Sequence, residues 1–215
     1  MVVEYIIFVL EIIGTAAFAI SGSIIAVGCS LDLLGVIFVG CTTAVGGGIL
    51  RDVLIGTNPP NVFRDPTMLL VAALTSAAVF VVAFVNAKRF TVIRGKIERI
   101  NNIFDAIGLS AFTVTGTEIA ISEGFSERTI FCILMGMITG VGGGIFRDVL
   151  VNKAPYVLTK HVYALASIAG AVVYYVIRIN SGETLIAGIA AMGAVFIIRM
   201  LATRFHWKLP KVKLE

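Results

Sequence analysis

Val141-Gly142-Gly143-Gly144-Ile145-Phe146-Arg147-Asp148-Val149-Leu150 lies inside an apolar segment, yet it holds three successive glycines and then an arginine–aspartate pair. The stretch occurs twice. Val45-Gly46-Gly47-Gly48-Ile49-Leu50-Arg51-Asp52-Val53-Leu54 matches it at every position except Leu50, where the second copy has Phe146. Whatever fold the chain adopts must find a use for two helix breakers, each followed by charge.

The likeness extends outward from the motif. Glu11-Ile12-Ile13-Gly14-Thr15-Ala16-Ala17-Phe18 aligns with Asp105-Ala106-Ile107-Gly108-Leu109-Ser110-Ala111-Phe112 at an offset of 94, and Gly22 and Ala26 continue it onto Gly116 and Ala120. The glycine triplets are offset by 96, so the second copy carries two more residues between its first two apolar segments.

Those segments belong to a chain of 215 residues that is 58% hydrophobic and 14% charged, with a mean hydropathy of +1.00. Soluble domains are about one quarter charged. The apolar residues fall in long blocks rather than amphipathic stripes, which marks membrane-spanning helices. Seven spans are predicted, near 4–28, 32–56, 66–86, 102–121, 127–152, 160–180 and 183–204. Each is long enough for the ~30 Å hydrocarbon layer. The fold class is therefore an all-α membrane protein, a single transmembrane domain over 1–215 with no soluble domain. The repeats cover 4–86 and 102–180, three helices each; a seventh helix over 183–204 has no partner, and 205–215 form a basic tail. An odd number of helices per copy makes the copies run in opposite directions, an inverted repeat of the kind that places working sites near its pseudo-two-fold axis.

The first segment has no basic region before it, so it is expected to stay as a span rather than leave as a signal peptide. Cys29, Cys41 and Cys132 have the spacing of neither a disulfide framework nor a metal cage. Among the Lys and Arg outside the two motifs, twelve fall on the side shared by the 87–101 connection and the C-terminus, Arg199 among them, and three fall opposite. The positive-inside rule then places the C-terminus in the cytoplasm and the N-terminus outside.

Three consecutive glycines cost a helix about 1 kcal/mol each relative to alanine. The second and fifth helices are therefore expected to break at Gly-Gly-Gly. Backbone carbonyls freed at Gly46, Gly47, Gly48, Gly142, Gly143 and Gly144 would line an aqueous path, as hard oxygen ligands that replace part of a cation's water shell. The competing use is close packing of neighbouring helices. Duplication beside intramembrane charge favours the path, so Gly47→Ala and Gly143→Ala are expected to alter conduction more than folding.

Charge on a membrane helix is costly, and here it is repeated. Adjacent residues point about 100° apart, so Arg51 need not pair with Asp52, nor Arg147 with Asp148. Opposite-running copies also allow Arg51 to meet Asp148 and Asp52 to meet Arg147. These four residues are read either as gates and charge-setters of a pore or as braces pinning two helices. Glu11 and Asp105 are symmetric acids that would favour cations on a path; Asp105 would equally suit a helix start. Glu118 sits late in the fourth helix. Small residues crowd the first helix (Gly14 to Ser23) and the seventh (Gly188 to Ala194), where packing is the main reading. Lys88, Arg89 and Arg94 in the basic connection could hold anionic lipid headgroups, although they serve topology in any case. No nucleophile–base or metal-ligand pattern stands out, no role falls to His161 or His206, and neither an enzyme, a cofactor nor a nucleic-acid partner is expected.

Two three-helix repeats, Gly-Gly-Gly-x-x-Arg-Asp in helices two and five, and a lone seventh helix resemble the trimeric intracellular cation (TRIC) channel family, in its bacterial and archaeal form. The resemblance covers nearly the whole chain. It implies a homotrimer in the cell membrane with one pore per subunit, conducting potassium and sodium with no metal bound beyond these transient ions. It also implies that the helices broken at the glycines flank the pore, which points to Gly46–Gly48 and Gly142–Gly144. The same doubled domain resembles proteins labelled as glycine transporters, which implies instead a secondary transporter of a small neutral solute.

Overall fold

A computed structural model describes residues 2–87, 94–159 and 162–207, without the side chains of Val2, Arg94 and Lys96. Among the described residues every regular element is helical. In order these are α1 (Val2–Gly28), α2 (Leu33–Ile55), the one-turn α3 (Asn61–Arg64), α4 (Thr67–Val85), α5 (Arg94–Ala120), α6 (Thr129–Leu150), the one-turn α7 (Tyr156–Thr159), α8 (Tyr163–Ser181) and α9 (Thr184–Arg204). A short π-turn, Ile121–Phe125, ends α5. Seven of the helices are long and apolar enough to cross a membrane.

The helix ends follow local chemistry. The Asp32 carboxylate accepts a hydrogen bond from the Gly35 N–H at 2.8 Å and caps α2. Gly56, at φ +93°, closes the same helix in the left-handed conformation. Pro60 and Pro155 each precede a one-turn helix. Both copies therefore read long, long, one-turn, long.

Two boundaries differ from the sequence reading. The fourth span was expected from 102, but α5 begins at Arg94, so Arg94 to Arg99 continue the helix beyond its apolar part and do not form a loop. Asp105 accordingly lies well inside a helix and does not start one. The sixth span was expected from 160, but the chain makes the one-turn α7 first and starts α8 at Tyr163.

The glycine triplets bring the main correction. Helices α2 and α6 run unbroken through Gly46–Gly48 and Gly142–Gly144. In apolar surroundings no water replaces a lost backbone hydrogen bond, so continuing the helix is cheaper than opening it. What the glycines supply is room. A Cβ on Gly47 would overlap the Thr139 carbonyl oxygen, and one on Gly143 would overlap the Thr43 carbonyl oxygen. The two contacts are the same contact seen from each copy. Phe18 and Phe112 meet the same way, ring centroids 5.4 Å apart, each packed over the other copy's Gly108 or Gly14. Reciprocal contacts of this kind define a pseudo-two-fold axis between α1/α2 and α5/α6.

Helix α5 is the spine. Of its apolar window 78% is buried, against 17–50% for the other spans. Its hydroxyls are satisfied internally: Thr113 donates to the Leu109 carbonyl at 2.7 Å, as Thr43 and Thr139 do to Val39 and Met135 at 2.6 Å. Large apolar side chains face outward instead, among them Leu34, Leu74, Phe84 and Ile130, each more than 70% exposed. A surface of that kind suits lipid. Small residues on α1 do serve packing, with Gly14 and Gly22 both tightly enclosed, whereas Gly193 on α9 has open space where a Cβ would go.

Candidate functional site

Each copy builds one half-site from the same parts, an acid on the first helix, the Arg-Asp pair at the end of the second, and the one-turn helix that follows. In the first copy Arg51 donates to Asp52 Oδ1 from Nε at 2.9 Å and from Nη2 at 2.7 Å. Its Nη1 lies 3.8 Å from Glu11 Oε1. The other Asp52 oxygen accepts the Asn61 N–H at 2.8 Å and so anchors the start of α3. In the second copy Arg147 Nε donates to Asp148 Oδ1 at 2.9 Å, and Asp148 Oδ2 accepts the Tyr156 N–H at 2.8 Å, anchoring α7. Pairing across the copies, Arg51 with Asp148 or Asp52 with Arg147, does not occur. The flexible arginine stem curls back to its own neighbour, because that carboxylate is already held in place by the helix it caps.

Here the symmetry ends. The first half-site opens on a cavity of about 240 Å³ lined by Glu11, Thr15, Gly48, Arg51, Asp52 and Asp65 among others. The Glu11 side chain is 25% exposed there. Asp65 stands beside the cavity, where its carboxylate accepts both the Thr67 hydroxyl at 2.6 Å and the Thr67 N–H at 2.9 Å. Those hydrogen bonds, the hydroxyl's first, hold its carboxyl below the usual carboxylate range, so the rim keeps its negative charge into mildly acidic solution.

The second half-site is sealed. Arg147, Asp105 and Asp148 are all fully buried. Arg147 Nη1 donates to Asp105 Oδ1 at 2.7 Å and to Ser21 Oγ, from the other copy, at 2.8 Å. Its guanidinium stacks over Tyr156 at 4.9 Å. The Tyr163 hydroxyl donates to Asp105 Oδ1 at 3.3 Å. Arg199, from α9, reaches in to place Nη2 at 3.5 Å from Asp105 Oδ2 and its guanidinium 4.5 Å over the Tyr163 ring.

Arg199 was grouped with the charges on the cytoplasmic side, but only 2% of it is exposed. Its position near the end of the last span made it look like a flanking charge. No motif marks it, nor Tyr156, Tyr163 or Ser21; only folding brings α1, α5, α6, α8 and α9 to one point. Glu118 is drawn into neither half-site. It accepts from Tyr174 OH at 2.8 Å and from Arg178 Nε at 3.1 Å and braces α5 against α8.

The glycines divide by position. Gly46 and Gly142 make room for the one side chain that differs between the motifs, so that a Cβ on Gly46 would stand 2.6 Å from Phe146 and one on Gly142 3.0 Å from Leu50. Gly47 and Gly143 form the helix crossing. Gly48 faces its own arginine, with Arg51 Nη2 at 3.6 Å from an added Cβ, whereas Gly144 faces the Tyr163 hydroxyl at 3.1 Å, with Arg147 Nη2 at 3.7 Å. Lys88 and Arg89 lie outside the described residues, as does the side chain of Arg94. Among the described residues no group of three or more His, Cys, Asp or Glu could hold a metal ion.

The family described as glycine transporter matches the chain twice, over residues 8–84 and 102–178. The UPF0126 inner membrane protein YadS of Escherichia coli (strain K12) is 36% identical over 214 residues, 98% of each chain. The UPF0126 membrane protein YvgT of Bacillus subtilis (strain 168) is 34% identical over 203 residues, 94% of each. A solved structure described as "Structural basis for conductance through TRIC cation channels" superposes with a TM-score of 0.81 at 37% identity, covering 96% of this chain and 97% of that one. The crystal structure of a prokaryotic TRIC channel in 0.5 M KCl gives 0.84 at 34% identity, with 96% and 100% covered. The TRIC orthologue from Rhodobacter sphaeroides gives 0.83 at 28% identity, with 94% and 99% covered. The resemblance carried by the doubled motif thus extends to the whole fold.

Proposed function

Since the chain belongs to the family described as glycine transporter and shares the fold of the prokaryotic TRIC channels, we propose that it is a passive channel for monovalent cations, potassium and sodium. The observation that carries this reading is the pair of half-sites on either side of the glycine crossing. One opens on a cavity carrying Glu11, Asp52 and Asp65 against the single charge of Arg51. Acidic oxygens in a restricted polar cavity attract cations and repel anions. Gly48, beside Arg51, and Gly144, beside Tyr163 and Arg147, line the path, while Gly46, Gly47, Gly142 and Gly143 set the spacing of the helices that flank it. Arg51, Asp52, Arg147 and Asp148 then combine both roles considered for them, since each pair fixes a one-turn helix and sets charge on the path. The chain assembles as a homotrimer with one path per subunit, N-terminus outside and C-terminus in the cytoplasm, and Lys88, Arg89 and Arg94 meet anionic headgroups.

Purified protein in planar bilayers is expected to give unitary cation currents that reverse at the potassium potential in asymmetric KCl. Silent bilayers with insertion confirmed would overturn the reading. A second reading, a secondary transporter of glycine or a similar solute, has its own observation. One half-site is open and the other sealed, as alternating access requires. Gradient-coupled, saturable uptake of labelled glycine into liposomes supports it, and uptake equal to empty vesicles removes it.

A further inference from the structure

The two half-sites are built from equivalent residues, yet their charge differs. Counting only the repeated residues, Glu11 and Asp52 against Arg51 leave one net negative charge in the first, to which Asp65 at the rim adds another. In the second, Asp105 and Asp148 against Arg147 would likewise leave one, but Arg199 cancels it. Arg199 comes from the helix that stands outside the repeat, so the first half-site has no counterpart. Arg199 meets Asp105 more loosely than Arg147 does. A structural arginine frequently grips its carboxylate bidentately or at short range, as Arg147 holds Asp105 at 2.7 Å and Asp148 at 2.9 Å. Arg199 instead makes one long contact of 3.5 Å to Asp105 Oδ2 and lies over the Tyr163 ring. Among the described residues its Nε is buried with no hydrogen-bond partner, and Arg147 Nη2 in the same cluster has none either. Among the described residues Asp105 Oδ1 is engaged by Arg147 and Tyr163, whereas Oδ2 receives Arg199 alone.

We propose that the second half-site is a monovalent-cation site occupied by the chain's own Arg199, whose guanidinium stands where a permeating cation would meet Asp105 Oδ2 and the Tyr163 ring. The open cavity at Glu11 and the sealed cluster at Asp105 are then equivalent sites, of which the second is filled by a side chain of the chain itself. Withdrawal of Arg199 exposes an oxygen ligand with a net negative charge and an aromatic face, both of which attract cations. The inference rests on the cation-path reading.

Its test is binding rather than current. In a Glu11→Gln background, which silences the first half-site, Arg199→Gln vacates the second. The thermal midpoint of this double variant is expected to rise by roughly 2–4 °C when potassium chloride replaces N-methyl-D-glucamine chloride at equal ionic strength. Glu11→Gln alone should show no such shift, and adding Asp105→Asn to the double variant should abolish it. A double variant indifferent to the cation, or a shift that survives Asp105→Asn, would overturn the proposal. Should the double variant fail to fold in N-methyl-D-glucamine, monodisperse protein is expected in potassium, and failure in both salts counts against the site. Wild-type currents without a potassium shift sink this inference alone. A potassium shift with a silent wild type sinks the channel reading and leaves the site standing.

Discussion

Gly47 and Gly143 stand where two helix backbones touch, and their substitution separates packing from conduction. A methyl group at either position meets a carbonyl of the opposite helix, which cannot move without its own hydrogen bonds. Gly47→Ala and Gly143→Ala are therefore expected to destabilise the fold by about 1–3 kcal/mol, read as a lower thermal midpoint in detergent. This reverses the expectation from sequence that these two would affect conduction more than folding. Gly48→Ala is the variant that should behave in that way, because its nearest neighbour is the tip of the Arg51 side chain at 3.6 Å, an ordinary van der Waals distance. Equal midpoints for Gly47→Ala and wild type would refute the crossing. The aspartates differ by burial. Asp148→Asn leaves the fully buried Arg147 short of a partner, a loss of about 3–5 kcal/mol. Asp52→Asn should cost less, since Arg51 borders a cavity that water can fill. Denaturation of the two variants side by side checks that order.

At the scale of elements, the one-turn helices explain why the motif ends in Arg-Asp. The aspartate has two oxygens and uses one for its neighbouring arginine and the other for the first N–H of the helix that follows. An acid at that N-terminus also meets the positive end of the short helix, though a single turn contributes little dipole. The start of α2 has a simpler device in Asp32. Asp32→Ala should cost about 1 kcal/mol, seen as a small drop in thermal midpoint without change in current; a large loss of current would mean that the start of α2 reaches the path. The place of α5 as the spine was not legible, because it follows from helices of both repeats packing on it, which no local pattern records.

For the whole molecule, topology is the property most directly checked. Trp207, half exposed just after α9, should as Trp207→Cys react with membrane-impermeant thiol reagents only from the cytoplasmic side in a background lacking Cys29, Cys41 and Cys132. Labelling from outside would invert the proposed orientation. The asymmetry between half-sites belongs to this scale too. It comes from α9, the one long helix with no partner in the repeat, which brings Arg199 to one half-site and leaves the other open.

Seven helices, their lipid-facing character and the doubling are readable from the residues alone, because hydrophobic length and self-similarity are local properties. The sequence also marked the residues of both half-sites that repeat, Glu11, Arg51 and Asp52 with Asp105, Arg147 and Asp148. Tertiary structure alone decided what those residues do. Whether a glycine opens a helix or admits a neighbour depends on what lies opposite, and Thr139 and Thr43 lie 92 and 100 positions from Gly47 and Gly143. Whether an acid faces water or an arginine depends on the far end of the chain, for Arg199 reaches Asp105 across 94 residues. A membrane interior, with no water to satisfy stray groups, makes those distant partners the deciding ones.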